Sequence, residues 1–198
     1  DFFELIYTDV YPLIIYDQGQ ARYYTRDILL ICGNLFGEKI YVIVNHWPSR
    51  SNGKSFTENK RMSGAKKVKE IINQIYNETN DAAILVIGDF NDNPSNNSIK
   101  SMVENSNLYN PMETLRSFSR GTTYHNRQWN LFDQIIISTN FFINSTTQFE
   151  YETANIFDED FLKLFTGKFK GTPFRTYVGT KYNGGYSDHF PVYAIFKK

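Results

Sequence analysis

The sequence predicts a layered domain of the α/β or α+β class. Short apolar runs of strand length alternate with a long segment whose apolar side chains have helical spacing, and glycine or polar residues bound each run. The length of 198 residues fits one domain with a substantial core. We therefore expect residues 1–198 to form a single domain.

Two strands begin the predicted sheet. Residues 27–32 and residues 40–44 are apolar runs, and the segment between them carries Gly33 and Gly37. Glycines between two apolar runs indicate a turn that joins two strands. The second run is almost wholly apolar, as in a strand that is covered on both faces.

A long helix follows a polar stretch. Residues 45–60 are mostly polar and contain Pro48 and Gly53, which predicts a loop. Beyond it, apolar side chains recur at intervals of three and four residues, the pattern of an amphipathic helix. These side chains are Ala65, Val68, Ile71, Ile72, Ile75 and Tyr76.

The second half of the chain supplies three more predicted strands, at residues 82–87, 132–138 and 190–196. Ser95 is a candidate N-cap for a short helix that ends near Glu104, and residues 105–121 look irregular.

Composition excludes several classes of protein. The 21 basic residues balance the 21 acidic ones, which argues against a protein that wraps a polyanion over its whole surface. Cys32 is the single cysteine, so no intrachain disulfide forms. No stretch reaches the roughly 18 apolar residues that cross a bilayer, so we expect no membrane insertion. Compartment and oligomeric state stay open.

Acidic, amide and imidazole side chains gather where the predicted strands begin or end. An isolated residue of this kind is usually a turn or cap residue, and Asn-Asp-Asn-Pro usually makes an Asx-turn. Four strands that share the feature instead predict a site, because the ends of strands are where α/β sheets carry their sites. The residues are His46, Asp89, Asn91, Asp133, Asp188 and His189.

Four sequence words around these residues resemble, in the same order, motifs of the endonuclease/exonuclease/phosphatase family, which has the deoxyribonuclease-I-like fold. The resemblance implies a four-layered sandwich of two mainly antiparallel or mixed sheets flanked by helices. It also implies a metal-dependent phosphoester hydrolase, either a nuclease or a phosphatase or phosphodiesterase. The words are Asn-His-Trp-Pro-Ser-Arg at 45–50, Gly-Asp-Phe-Asn-Asp at 88–92, Phe-Asp-Gln-Ile-Ile at 132–136 and Ser-Asp-His-Phe-Pro-Val at 187–192.

The resemblance assigns the reaction to two histidines and two acids. His189 would activate or orient the attacking water, and Asp133 would hold its imidazole in the productive tautomer. His46 would donate to a nonbridging phosphate oxygen. Asp188 would be a ligand of a hard divalent cation, for which magnesium is the expected ion and manganese the alternative.

Asp89 and Asn91, two residues apart after a strand, would position the water and a phosphate oxygen together.

One departure from the family pattern concerns the start of the chain. Family members contribute an Asn and a Glu metal ligand from strands that precede the motifs above, and no segment before Thr25 matches them. Glu4 lacks the surrounding residues, so the role is not transferred to it. We expect the chain to be the larger C-terminal part of a family domain without its opening strands. The rival to the enzyme is a noncatalytic binding module, or an inactive fragment, that keeps the sandwich.

The expected substrate is a phosphoester, either a small molecule or a short nucleic acid. Seven basic residues and Glu58 lie between Arg50 and Lys69, a local excess of six positive charges beside His46. Such a flank suits an anionic substrate, although a solvated helix face has the same composition. The expected substrate-binding side chains are Arg50, Trp129 and Arg175.

Overall fold

The computed structural model describes residues 2–16, 21–51, 53–142 and 147–198, without the side chains of Lys54 and Phe56. Lys54, part of the predicted basic run, is thus outside the described side chains. The helices are α1 (Lys54–Glu78) and α2 (Asn97–Val103), with 3-10 turns at Thr139–Phe141 and Asp160–Leu162. The strands are β1 (Phe3–Tyr11), β2 (Ile15–Tyr16), β3 (Arg22–Tyr23), β4 (Ile28–Leu35), β5 (Glu38–His46), β6 (Ala83–Asp89), β7 (Leu108–Tyr109), β8 (Thr123–His125), β9 (Gln128–Asn130), β10 (Asp133–Ser138), β11 (Glu150–Ile156), β12 (Tyr177–Val178), β13 (Lys181–Tyr182) and β14 (Val192–Lys197).

A six-stranded mixed sheet in the order β1-β4-β5-β6-β10-β7 is the centre of the fold. β5 and β6 are parallel, and the other neighbouring pairs are antiparallel. α1 makes the crossover between β5 and β6, because two parallel neighbours need a connection that returns the chain to the same end of the sheet. The C-terminal ends of β5 and β6 therefore lie side by side.

The hairpin β4–β5 confirms the first two predicted strands and corrects their boundary. Gly33, predicted in the turn, lies inside β4, and the turn is formed by Phe36 and Gly37 at φ 51° and 87°. Gly33 is needed in the strand because a Cβ there would lie 2.3 Å from the Phe3 ring of β1. The glycine thus permits close packing of the edge strand.

α1 confirms the predicted helix but begins at Lys54, within the predicted loop. Its apolar stripe is buried against the central sheet, with Val68 and Ile71 at 0% exposure. The first turns do not follow the apolar pattern because their described buried residues are polar, Thr57 at 2% and Arg61 at 0% exposure. α2 also confirms its prediction, although it begins after Asn96 rather than after Ser95.

β11 and β14 form a second, two-stranded sheet that packs on the face of the central sheet opposite α1 and α2. Phe196 of β14 and Tyr151 of β11 pack against Ile137 of β10 and the neighbouring Phe141. The predicted two-sheet sandwich is confirmed, and the described residues supply three of its layers. No helix in these residues is long and apolar enough to cross a membrane.

β1 is a strand for which the sequence analysis made no prediction. Most of its residues are exposed on both faces, so its sequence lacks a clear alternation. Its register pairs Glu4 with Asn34 and Tyr11 with Ile28. Since Leu29 pairs with Val44, the end of β5 that carries His46 lies near Tyr11, and Glu4 lies at the far end of the sheet.

Candidate active site

Three of the predicted site residues form a row across adjacent strands. His46, the last residue of β5, pairs with Asp89, the last residue of β6, and Asp89 pairs with Asp133, the first residue of β10. Backbone pairing at one level of a sheet fixes neighbouring side chains within a few ångströms. Sheet register therefore brings together residues that are 43 and 44 positions apart in the sequence.

His189 joins the row from the segment before β14. Its Nδ1 lies 2.7 Å from Asp133 Oδ2. The segment is held by the backbone N–H of Phe190, which donates to Thr122 O at 2.7 Å, and by Thr123 Oγ1, which donates to Asp188 O at 3.0 Å. The imidazole is thus oriented by a carboxylate and by fixed backbone.

The turn after β6 needs its particular residues. A Cβ on Gly88 would lie 1.9 Å from the carbonyl oxygen of Asn45 on β5, and its φ is 134°, so glycine is required there. Asn91 has φ 51°, a conformation that asparagine tolerates better than most residues. Its backbone N–H donates to Asp89 Oδ1 at 2.8 Å, which is the Asx-turn that the sequence suggested.

The Asn91 side chain supports Asp89. Its Nδ2 donates to Trp47 O at 3.0 Å and to Asp89 Oδ2 at 3.3 Å. Asn91 therefore fixes the orientation of the Asp89 carboxylate in the row, and its direct contact with a substrate stays a prediction.

Electrostatics favour a protonated His189. Burial by itself lowers the pKa of His189, but the hydrogen bond to Asp133 and the negative charges of Asp133, Asp89 and Asp188 outweigh it. The net pKa of His189 is raised above its ordinary value. The group consequently loses its proton at a higher pH than a free histidine.

The pKa values of Asp89 and His46, two further members of the row, shift in the direction that favours the neutral form of each side chain. Burial raises the pKa of Asp89, and the negative charge of Asp133 raises it further. Burial also lowers the pKa of His46, with Arg26 and His189 acting in the same direction. His46 Nε2 is 3.6 Å from Asp89 Oδ2, too long for a strong hydrogen bond, so its N–H is available to another acceptor.

The acids of the row suit a divalent cation. Ligand atoms of Asp89, Asp133 and His189 lie within 4.8 Å of one another. Burial is the main cause of the raised pKa of Asp89, and the negative charge of Asp133 adds to it; a hard cation with oxygen ligands would neutralise that charge. His189 Nδ1 is already bonded to Asp133, so the carboxylate oxygens are the donors that fit such an ion.

Asp188 lies at the rim of the site. Its side chain is 57% exposed, and its Oδ2 is 3.9 Å from Arg175 Nη1. Asp188 and His189 line the same cavity. The role of Asp188 as a metal ligand stays a prediction.

A cavity of about 420 Å³, called here the main cavity, opens beside the His189 end of the row. His189, Asn91 and Asp188 line it, together with Arg50 and Arg175 of the predicted substrate-binding residues. Trp129 does not line it; its ring stacks at 6.0 Å on Phe190 and belongs to the core behind the site. His125, which the sequence analysis left outside the site, also lines the cavity.

Arg50 fixes the loop that follows β6. Its Nε donates to Asn91 O at 2.8 Å, and its Nη2 donates to Asp92 Oδ1 and Asn96 Oδ1, each at 2.8 Å. The guanidinium also lies 4.5 Å above the Phe132 ring. Arg50 therefore holds the site loop from one wall of the cavity, and contact with a substrate stays a prediction.

Asp92 is a buried anchor that the sequence analysis missed. Its side chain is 1% exposed and accepts hydrogen bonds from Arg50 and from Ser98 Oγ at 2.6 Å, and its Oδ2 forms an ion pair with Arg61 Nε at 2.7 Å. The three partners come from the β5–α1 loop, α1 and α2. Asp92 thus ties both helices to the loop that carries Asp89 and Asn91. Its position inside the motif Gly-Asp-Phe-Asn-Asp was the available signal.

A protein-family model described as "Endonuclease/Exonuclease/phosphatase family" matches residues 1–198. No curated protein matches the chain. Solved structures do, among them an endonuclease/exonuclease/phosphatase family protein from Bacteroides thetaiotaomicron, at 15% identity and a TM-score of 0.62 over 98% of this chain. The chain spans 63% of that protein's length.

Two further structures are similar. The mannosyl-6-phosphatase of Bacteroides thetaiotaomicron is 16% identical with a TM-score of 0.62, and covers 99% of this chain and 67% of its own. The D. rerio TDP2, solved with a single-strand DNA product, is 14% identical with a TM-score of 0.60, and covers 99% and 69%. At these identities the likenesses show the fold alone. That residues 1–198 are the larger part of a longer domain stays a prediction.

Proposed function

We propose, from the premise that this chain belongs to the endonuclease/exonuclease/phosphatase family, that the protein hydrolyses phosphoesters at the strand-end row. The observation that carries the proposal is the 2.7 Å contact between His189 Nδ1 and Asp133 Oδ2, beside Asp89. A carboxylate–imidazole pair next to a second acid provides a general base and a second carboxylate in one site.

His189 acts on water. Because Asp133 accepts from Nδ1–H, the neutral imidazole keeps its lone pair on Nε2, which is the atom that takes a proton from water. Asp133 fixes this tautomer and stabilises the positive imidazolium that forms. The attacking water therefore becomes more nucleophilic as its proton moves to Nε2.

His46 stabilises charge on the phosphate. Its lowered pKa keeps the imidazole neutral at pH 7, and a neutral imidazole still carries one N–H. A donor aimed at a nonbridging oxygen stabilises the transition state more than the ground state, because negative charge grows there. Asp89, held by Asn91, orients the water or the ester from the middle of the row.

A divalent cation, magnesium or alternatively manganese, would be held by carboxylate oxygens of Asp89 and Asp133, which lie within 4.8 Å of each other and of His189. Asp188, at the rim of the cavity that His189 lines, would be a further ligand. When bound, such an ion supplies charge neutralisation to the phosphoryl oxygens.

The test is hydrolysis by the full chain with magnesium or manganese, over a panel of phosphosugars, phosphodiesters and short single-stranded oligonucleotides. We expect release of product from at least one class, and loss of that release in His189→Ala. If the folded chain bound a member of the panel and released no product from any, the noncatalytic binding module would be the better account.

A further inference from the structure

A second cavity, of about 490 Å³, lies beside the main cavity and is called here the side cavity. His125, Asn126 and Arg175 line both. Each volume is in the range of ligand pockets, about 300–1,000 Å³. A molecule whose phosphate sits at His189 thus has room to continue past these shared residues.

The side cavity combines positive charge with flat rings. Arg127, Lys168 and Arg175 line it, and no acidic residue is among its described lining residues. Tyr124 and Phe169 supply aromatic faces, with ring centroids 6.5 Å apart at an interplanar angle of 64°. Cationic side chains next to aromatic ones suit an anionic group attached to a planar ring.

Arg127 occupies a strained backbone position. The hairpin β8–β9 turns at Asn126 and Arg127, whose φ angles are 50° and 60°. Both angles lie in the left-handed region, and the second turn position is one where glycine is favoured. An arginine there is strained, because its Cβ disfavours the left-handed region. Strain of this kind concentrates at functional sites, which points to a use for this guanidinium at the cavity.

Arg175 is fixed between the two cavities by a tight loop crossing. The backbone N–H of Tyr186 donates to Phe174 O, and that of Asn183 donates to Thr176 O, each at 2.7 Å. A Cβ on Gly185 would lie 2.1 Å from Phe174 O, so glycine alone permits this approach. The crossing holds the backbone of Arg175 where its side chain reaches both cavities.

We propose that the side cavity binds the part of the substrate beyond the scissile phosphate, and that this part carries a planar ring and a second anionic group. The inference rests on the proposed function. Arg127, Lys168 and Arg175 bind the anion, and Tyr124 and Phe169 contact the ring. The substrate class is a ring-bearing phosphoester with two separated negative groups.

The test compares two thymidine dinucleotides that differ only by a terminal phosphate. In wild type we expect kcat/KM to be about tenfold higher, and Kd about tenfold lower, with the terminal phosphate, as for one charged hydrogen bond. Arg127→Gly should bring both ratios close to one. Its Tm should not fall, because glycine relieves the left-handed strain. Lys100→Ala, an exposed lysine on α2, is the charge-matched control and should keep the ratios.

The two readouts separate this inference from the proposed function. Hydrolysis of both dinucleotides at equal kcat/KM, or a ratio that Arg127→Gly leaves unchanged, would overturn the inference and leave the hydrolase intact. If neither dinucleotide is hydrolysed, their Kd values are compared. Equal Kd values overturn the inference. A tenfold tighter binding of the dinucleotide with the terminal phosphate, lost in Arg127→Gly, supports the anion site in the side cavity.

Discussion

The strand-end row and the wall of the side cavity are built differently. Asp89 and Asp133 stand on neighbouring strands, with side chains 17% and 20% exposed and partners set by backbone pairing. Arg127 and Phe169 belong to turns and loops, and Phe169 is 50% exposed. Backbone pairing of the strands therefore fixes the geometry of the row, whereas turns and loops determine the geometry of the side-cavity wall. If the proposed function and the inference on the side cavity hold, the contrast predicts that reaction and selectivity reside in separable parts of this molecule.

The largest expected effect is on the row. His189→Ala should lower kcat by about three orders of magnitude, since a positioned general base contributes about 10²–10⁴. Steady-state kinetics on the best member of the panel measures it. Lys100→Ala serves as the control for expression and handling. A Tm that falls together with the rate would assign His189 a structural role instead.

Removal of the buried Asp92 carboxylate should have the largest effect on the stability of the protein. Asp92→Ala leaves Arg61 at 0% exposure without its carboxylate, and we expect a loss of about 3–5 kcal/mol in the free energy of unfolding. Urea denaturation measures the loss. The matched control is Asp158→Ala, which breaks the partly exposed pair with Arg120 and should cost about 1 kcal/mol or less. Equal losses for the two variants would contradict the anchoring role of Asp92.

A smaller effect on catalysis is expected at the loop crossing that fixes Arg175 in the wall of the side cavity. Gly185→Ala forces the crossing at Phe174 apart and should displace Arg175, raising KM severalfold while kcat stays within about twofold. Gly37→Ala, at a remote turn with φ 87° and open space around it, is the control. Gly37→Ala should lose about 1 kcal/mol of stability because its φ is positive, and Gly185→Ala should lose about 1–3 kcal/mol because its Cβ would clash with the backbone. A kcat loss as large as that of His189→Ala would show that row and wall are not separable.

The smallest effect is the pH dependence of stability. Folding raises the pKa of His189, so its stabilising contribution is fully present below the ordinary value of 6.5 and is lost as pH rises through the folded pKa. The difference in unfolding free energy between wild type and His189→Gln should therefore shrink as pH is raised above 6.5. A difference that grows with pH would reverse the sign of the interaction with Asp133.

The row could be predicted from sequence because each member adjoins a strong apolar run. Asp89 follows residues 82–87, and Asp133 lies at the start of residues 132–138, so the strand ends were identifiable. Their register was not, because pairing between distant strands leaves no local pattern. Asp92 and Arg61 were missed for the same reason: a buried ion pair between a loop and α1 is a tertiary contact of two polar residues.

The wall was harder to predict. β8 and β9 have three residues each, too short for a periodicity, and their turn is Asn-Arg rather than the Asn-Gly that signals a hairpin. His125 and Arg127 were therefore not assigned to the cavities. Trp129 was expected at the substrate, but alternation along β9 directs it to the core beside Phe190. The short strands in the loops were therefore harder to predict from the sequence than the longer strands of the central sheet.

The pH dependence of kcat/KM, measured in wild type and in Asp133→Asn, tests the central claim most directly. In the proposed reaction neutral His189 is the active form, so the acid limb of the wild-type profile should have its midpoint above 6.5. Asp133→Asn should slow the reaction and move that midpoint to lower pH, because the carboxylate that raises the pKa is gone. A profile without an acid limb, or one whose midpoint is the same in both proteins, would contradict the assignment of His189 as the base.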